Sequence, residues 1–119
     1  MHFDVERTTV AGRPSLTVRG ELDLSTVPRL DAAASELLAD SAELVIDLTH
    51  TTFLDSSGAR TLLGLAKKAG AAGAALHVLA PRSNGPVRLT IDLLDLGAFV
   101  PVVASVGEIS TRAERDAGT

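Results

Sequence analysis

The sequence predicts one α/β domain built on a mixed central β-sheet, an antiparallel opening pair followed by parallel crossovers, with about four α-helices packed against it. Three observations predict this. Short apolar runs alternate with apolar positions at helical spacing along nearly the whole chain, the order that parallel crossovers produce. The run Leu44-Val45-Ile46-Asp47-Leu48 is almost continuously apolar, which suits a central strand covered on both faces. The 119 residues are enough for one domain, which at this size buries about 65% of its unfolded surface, and leave little room for a second. The domain is expected over residues 1–111, with a polar, frayed tail at 112–119.

The elements follow in order. Phe3 and Val5 alternate with charged neighbours, as do Leu16 and Val18, and Ala11-Gly12-Arg13-Pro14 between them is a turn signal, so the chain opens with an antiparallel pair. Ser25 and Thr26 offer N-caps and Pro28 is tolerated in a first helical turn, which starts a helix over 27–39 carrying Val27, Leu30, Ala34, Leu37 and Leu38. After the central strand comes a short polar loop, then a second helix with Ala59, Leu62, Leu63, Ala66 and Ala69, ending near Gly70. A loop at 71–73 leads to a strand at 75–79. Pro86 opens a third helix with Val87, Ile91 and Leu94 on one face, and 99–103 reads as the last strand. Ser105 and Glu108 have capping-box spacing, which predicts a terminal helix carrying Val106 and Ile109.

Composition narrows the function. The formal charge is −4, with 15 acidic and 11 basic residues, and the only aromatic residues are three Phe. A nucleic-acid binder needs a basic stripe or stacking platforms, and this chain offers neither; Arg60, Lys67 and Lys68 read as one solvated helix face. Cysteine is absent, which excludes disulfides, thiolate metal sites and cysteine nucleophiles. Asp92 and Asp95, three apart, lack a histidine ligand and read as a solvated face, so no metal or other cofactor is expected. The N-terminal residues lack the basic region and apolar run of an export signal, and no stretch is long enough to cross a bilayer, so a cytoplasmic protein is expected.

The segment Asp55-Ser56-Ser57-Gly58 stands between the most buried strand and the second helix. Loops leaving the carboxyl ends of parallel strands form the functional rim of such sheets. Asp55 can cap the helix, Ser57 then lies in its first turn with the hydroxyl facing solvent, and Gly58 spares an approaching partner a side chain. The residues by themselves suit an ordinary capped helix start equally well, and capping signals are common.

Two stretches carry a resemblance that covers nearly the whole chain. Gly20-Glu21-Leu22-Asp23, followed by Leu24-Ser25-Thr26, is similar to the Gly-Glu-Leu-Asp segment of STAS domains in anti-sigma-factor antagonists. Val45-Ile46-Asp47-Leu48 with Phe53-Leu54-Asp55-Ser56-Ser57-Gly58 resembles that family's phosphorylation segment. The resemblance implies a binding protein rather than an enzyme, without catalytic residues. Ser57 matches the serine phosphorylated by the cognate anti-sigma factor, itself a serine kinase, and Ser56 matches the preceding serine, the second choice. Asp23, Ser25, Thr26, Asp55, Ser56, Ser57 and Gly58 are the implied partner-binding residues. Unphosphorylated protein would bind the anti-sigma factor and free the sigma factor; a serine phosphatase would reverse the modification. A monomer is expected when free, with no nucleic-acid or membrane partner. One departure is Asp95, where the family has a glycine; Gly97 is expected to take over that turn.

Two other readings stand beside it. A STAS module could serve another bacterial signalling assembly. A small serine hydrolase is the weaker alternative: the segment is not Gly-x-Ser-x-Gly, and its base would have to be His2, His50 or His77, of which only His50 lies near the serines in sequence.

Overall fold

The structure, a computed structural model, describes residues 2–109; Met1 and residues 110–119, with the expected tail and the last two residues of the expected domain, lie outside the described residues. The chain opens with β1 (Asp4–Val10) and β2 (Arg13–Leu22), paired antiparallel from Asp4 opposite Arg19 to Val10 opposite Arg13. Ala11 and Gly12 between them both have positive φ, 52° and 78°, the conformation of a two-residue type I′ hairpin turn. Then follow α1 (Val27–Asp40), β3 (Glu43–Asp47), β4 (Thr51–Leu54), α2 (Ser56–Ala71), β5 (Ala75–Leu79), α3 (Gly85–Leu93) and β6 (Val102–Val103). Single 3₁₀ turns lie at Leu96–Ala98 and Val106–Glu108.

The sheet order is β1-β2-β3-β5-β6, parallel from β2 onward, with β4 also paired to β2. β3 and β4 therefore run along one edge of β2, β3 beside residues 15–17 and β4 beside residues 20–22, with a register irregularity at Gly20. Gly20 has φ +96°, and a Cβ there would collide with the carbonyl oxygen of His2. The break between β3 and β4 is held from two sides. Asp47 accepts hydrogen bonds from the Thr49 amide and hydroxyl, and Asn84 donates to the carbonyls of Leu48 and Thr51.

β3 is central and covered on both faces. Leu44 and Ile46 join Leu16, Val18, Leu76 and Val78 under Leu30, Ala34 and Leu38 of α1 and Leu62, Leu65 and Ala69 of α2. Val45, on the opposite face, packs with Leu79, Val103, Ile109 and Val10. α2 stops in a Schellman motif: Gly73 has φ +73°, its amide bonds Gly70 O, and the Ala74 amide reaches Ala69 O. The loop at 71–73 is thus a built helix stop.

Five expectations need correction. Among the described residues there are three α-helices, not about four: the Ser105 and Glu108 side chains do meet at 3.2 Å, but they close a single 3₁₀ turn. The polar loop before α2 contains β4, because Thr51 is buried with its hydroxyl bonded to Val18 O at 2.8 Å, so a polar-looking residue makes an inward strand contact. The last strand is shortened to β6, since Phe99 follows a 3₁₀ turn and remains exposed. Gly97 does not take over the turn after α3. Asp95 itself adopts the left-handed conformation, φ 51° and ψ 40°, which Asp tolerates better than most residues. Asp92 and Asp95 therefore do not share a helix face, as α3 ends at Leu93.

Candidate functional site

The carboxyl ends of β2 and β4 lie side by side, so the loop at 23–26 and the turn at 55–58 form one rim. The Asp55 amide donates to Leu22 O at 3.3 Å, which fixes the two segments to each other. Asp55 occupies the N-cap of α2 with extended backbone, and its carboxylate accepts the Gly58 amide at 2.9 Å. Ser56 and Ser57 are the first two residues of α2; Ser56 is exposed and Ser57 half-buried. As a residue, Ser57 is therefore not fully buried.

Gly58 has a role different from the one its sequence position suggested. It is buried, and a Cβ there would stand 2.5 Å from Leu54 Cδ1 and 2.7 Å from Leu22 O. The missing side chain lets α2 start hard against β2 and β4. It faces inward, so Gly58 presents no side-chain surface of its own to a partner.

The neighbouring loop is tied together by polar side chains. The Asp23 carboxylate accepts from the Ser25 amide at 3.0 Å and the Ser25 hydroxyl at 2.7 Å. Those bonds, the hydroxyl first, hold the Asp23 carboxyl below the ordinary aspartate value despite some opposing desolvation. Thr26 stands at the N-cap of α1, as expected, but its side chain caps nothing there. Its hydroxyl donates to Glu21 O at 2.8 Å and accepts the Asp23 amide at 2.9 Å, closing the loop on itself. Leu24, at the loop's tip, is 73% exposed.

The structure brings together Asp23, Ser25, Thr26, Asp55, Ser56, Ser57 and Gly58, and adds residues the sequence did not single out. The Thr90 hydroxyl of α3 donates to Leu54 O at 2.7 Å, bracing the strand end directly before Asp55. A groove of about 270 Å³ runs from Ser56 along α2, with Arg60 and Leu63 on one wall and Leu94, Leu96 and Phe99 on the other. Arg60 is thus separated in environment from Lys68, which turns toward α1, bonding Ser35 at 2.8 Å and lying 3.9 Å from Asp31. No motif announces the groove, because its far wall comes from the irregular chain after α3.

The histidines do not gather at the serines. His50 precedes β4 and the serines follow it, so one strand length separates them, and His50 lines a different pocket with Thr49, Ser83 and Asn84. His77 is buried in β5. His2, set aside in the sequence reading, lines a small pocket of about 200 Å³ with Glu21, Asp23, Ser25 and Thr26. Among the described residues, no helix is long and apolar enough to cross a membrane.

Comparison with known proteins agrees with this fold. The STAS domain family model matches residues 4–109. RsfB, an anti-sigma-F factor antagonist of Mycobacterium tuberculosis, is 41% identical over 56 residues, 46% of each chain, so the match spans about half the length of this curated relative. The crystal structure of an anti-sigma factor antagonist from Mycobacterium paratuberculosis is similar with a TM-score of 0.73 and 28% identity over 90% of each chain. SpoIIAA in its unphosphorylated form shares the fold, with a TM-score of 0.63 and 24% identity over 99% of this chain and 98% of the other.

Proposed function

The chain belongs to the STAS domain family, and from that premise we propose that it is an anti-sigma-factor antagonist switched by phosphorylation of Ser57. Unphosphorylated, it binds an anti-sigma factor that is also its serine kinase, and so releases a sigma factor. Phosphate on Ser57 ends that binding, and a serine phosphatase restores it. The protein does this in the cytoplasm as a monomer, by binding rather than by catalysis. The similarity to two mycobacterial antagonists supports the role, and one observation carries the site: a half-buried serine in the first turn of a helix, on a rim held rigid by Asp55 and by the Asp23 loop.

The physics of the switch is local. A phosphoserine brings roughly −1.5 to −2 charges at neutral pH. Free amides and the macrodipole at a helix start tolerate that charge, so the domain itself should remain folded. The rim already carries the carboxylates of Asp23 and Asp55, and Leu24 gives it an exposed apolar point. A partner surface fitted to this rim with a neutral hydroxyl would have to desolvate or repel the new charge. A loss of about 2–4 kcal/mol weakens binding roughly 30- to 1,000-fold, enough for a switch without a large conformational change.

Incubation with ATP and candidate serine kinases, followed by intact-mass measurement, tests the site. One phosphate is expected on the wild type and on Ser56→Ala, and none on Ser57→Ala. Phosphate retained by Ser57→Ala would move the acceptor to another residue. Labelling by a serine-reactive fluorophosphonate would instead favour a hydrolase.

A further inference from the structure

We propose that Arg60 is the cation that receives the phosphate once Ser57 carries it, and that in the unmodified protein the same guanidinium is free at the docking rim. This rests on the reading of Ser57 as the acceptor and adds a second consequence to its modification.

Arg60 lies three residues after Ser57 and four after Ser56 on α2, the two spacings at which helix side chains meet. Helical side chains lean in general toward the N-terminus, the side on which the first turn lies from Arg60. Its place in one groove with Ser56 agrees with that direction. Arg60 is exposed, and among the described residues the ion pairs belong to other cations: Arg7 with Glu36, Arg13 with Glu43, Arg19 with Glu6, and Lys68 with Asp31.

The rest of the rim is mostly acidic; Arg29, in the first turn of α1, donates to Phe3 O at 3.0 Å and lies over the Phe3 ring. Asp55 caps the helix, and Asp23 is held ionised in the adjoining loop with Glu21 before it. His2 stands beside Asp23 on the outer side of that loop. The next cation along α2 is Lys67, two turns further on. A dianion at Ser57 therefore has one cation within a helical turn. Arg binds phosphate through a fork of donors, which suits the role. Modification would then act twice on the docking surface, adding negative charge and withdrawing a positive group of α2 that an acidic residue of the partner could meet.

The test uses the full chain with phosphoserine encoded at position 57 during translation, so that no kinase is required. Phosphorus NMR titration is compared between this protein and its Arg60→Ala and Arg60→Lys versions. The second ionisation of the phosphate is expected about 0.15–0.4 pH units lower with Arg60 than with Ala at low salt, the size of a helical ion pair. The difference should shrink at 1 M salt, and Lys should retain part of it. The acidic groups and His2 are common to all three proteins, so the difference isolates the side chain at position 60. Coincident titration curves for the Arg60 and Ala proteins would overturn the proposal. Absence of phosphate on the wild type in the kinase assay would overturn the acceptor reading alone.

Discussion

The two loops of the rim each carry an aspartate close to a helix start, and they use it differently. At α2, Asp55 serves the helix: its carboxylate takes the Gly58 amide and sets where the first turn begins. At α1, Asp23 serves the loop: its carboxylate takes the Ser25 amide and hydroxyl, while Thr26 bonds back to Glu21. Both devices stiffen exposed backbone beside the serines. Only the first is coupled to the core, because Gly58 is wedged against Leu22 and Leu54 at the same point. The α2 turn should therefore behave as part of the fold, and the 23–26 loop as a separately ordered surface element.

Five measurements sharpen that contrast. The largest effect should be on binding. Phosphoserine at position 57 is expected to weaken the anti-sigma-factor complex roughly 30- to 1,000-fold by calorimetry, with little change in the domain's own melting. An unchanged Kd would show that the partner does not read this turn. Next, Gly58→Ala should lower stability by about 1–3 kcal/mol in denaturant unfolding, because a Cβ meets backbone that cannot move aside easily. A neutral result would mean that α2 is free to slide outward. Asp55→Ala should cost about 1 kcal/mol, the usual worth of a helix N-cap. Asp23→Ala should cost less than Asp55→Ala and show itself as faster amide exchange confined to the 23–26 loop.

The smallest effect is electrostatic. The Asp23 carboxyl titrates below the ordinary aspartate value, with the Ser25 hydroxyl as the leading cause. A lowered carboxyl stabilises the folded form, fully so above the unfolded value, and that contribution is lost as the pH falls through the folded value. In an NMR titration, Ser25→Ala should move Asp23 back toward the ordinary value. If Asp23 did not move, its bonds to Ser25 would not be what orders the loop, and the contrast would fail.

Much of this molecule was legible because its core elements bury one face at a regular period. Leu30, Ala34 and Leu38 announce α1, and Ala59, Leu62 and Ala69 announce α2. The nearly unbroken run at 44–48 announces a strand with both faces covered. Residues 51–54 were illegible for the opposite reason: the inward contact of β4 is made partly by a threonine hydroxyl, which has no hydrophobic signature. The chain after α3 misled in another way. Its ordering depends on Asp95 holding a left-handed turn and on Phe99 facing outward, and neither leaves a periodic trace.

The sequence alone determined the α/β class, the central place of β3, the serines at a helix start and the acidic residues around them. These follow from local spacing and capping chemistry, which act between residues close in the chain. Only the tertiary structure decided that Gly58 faces the core, that Thr26 closes a loop instead of capping α1, and that Arg60 and Ser56 share a groove with residues some forty positions away. Such facts depend on which surfaces a folded sheet brings within a few ångströms, and no local pattern encodes a distance between strands.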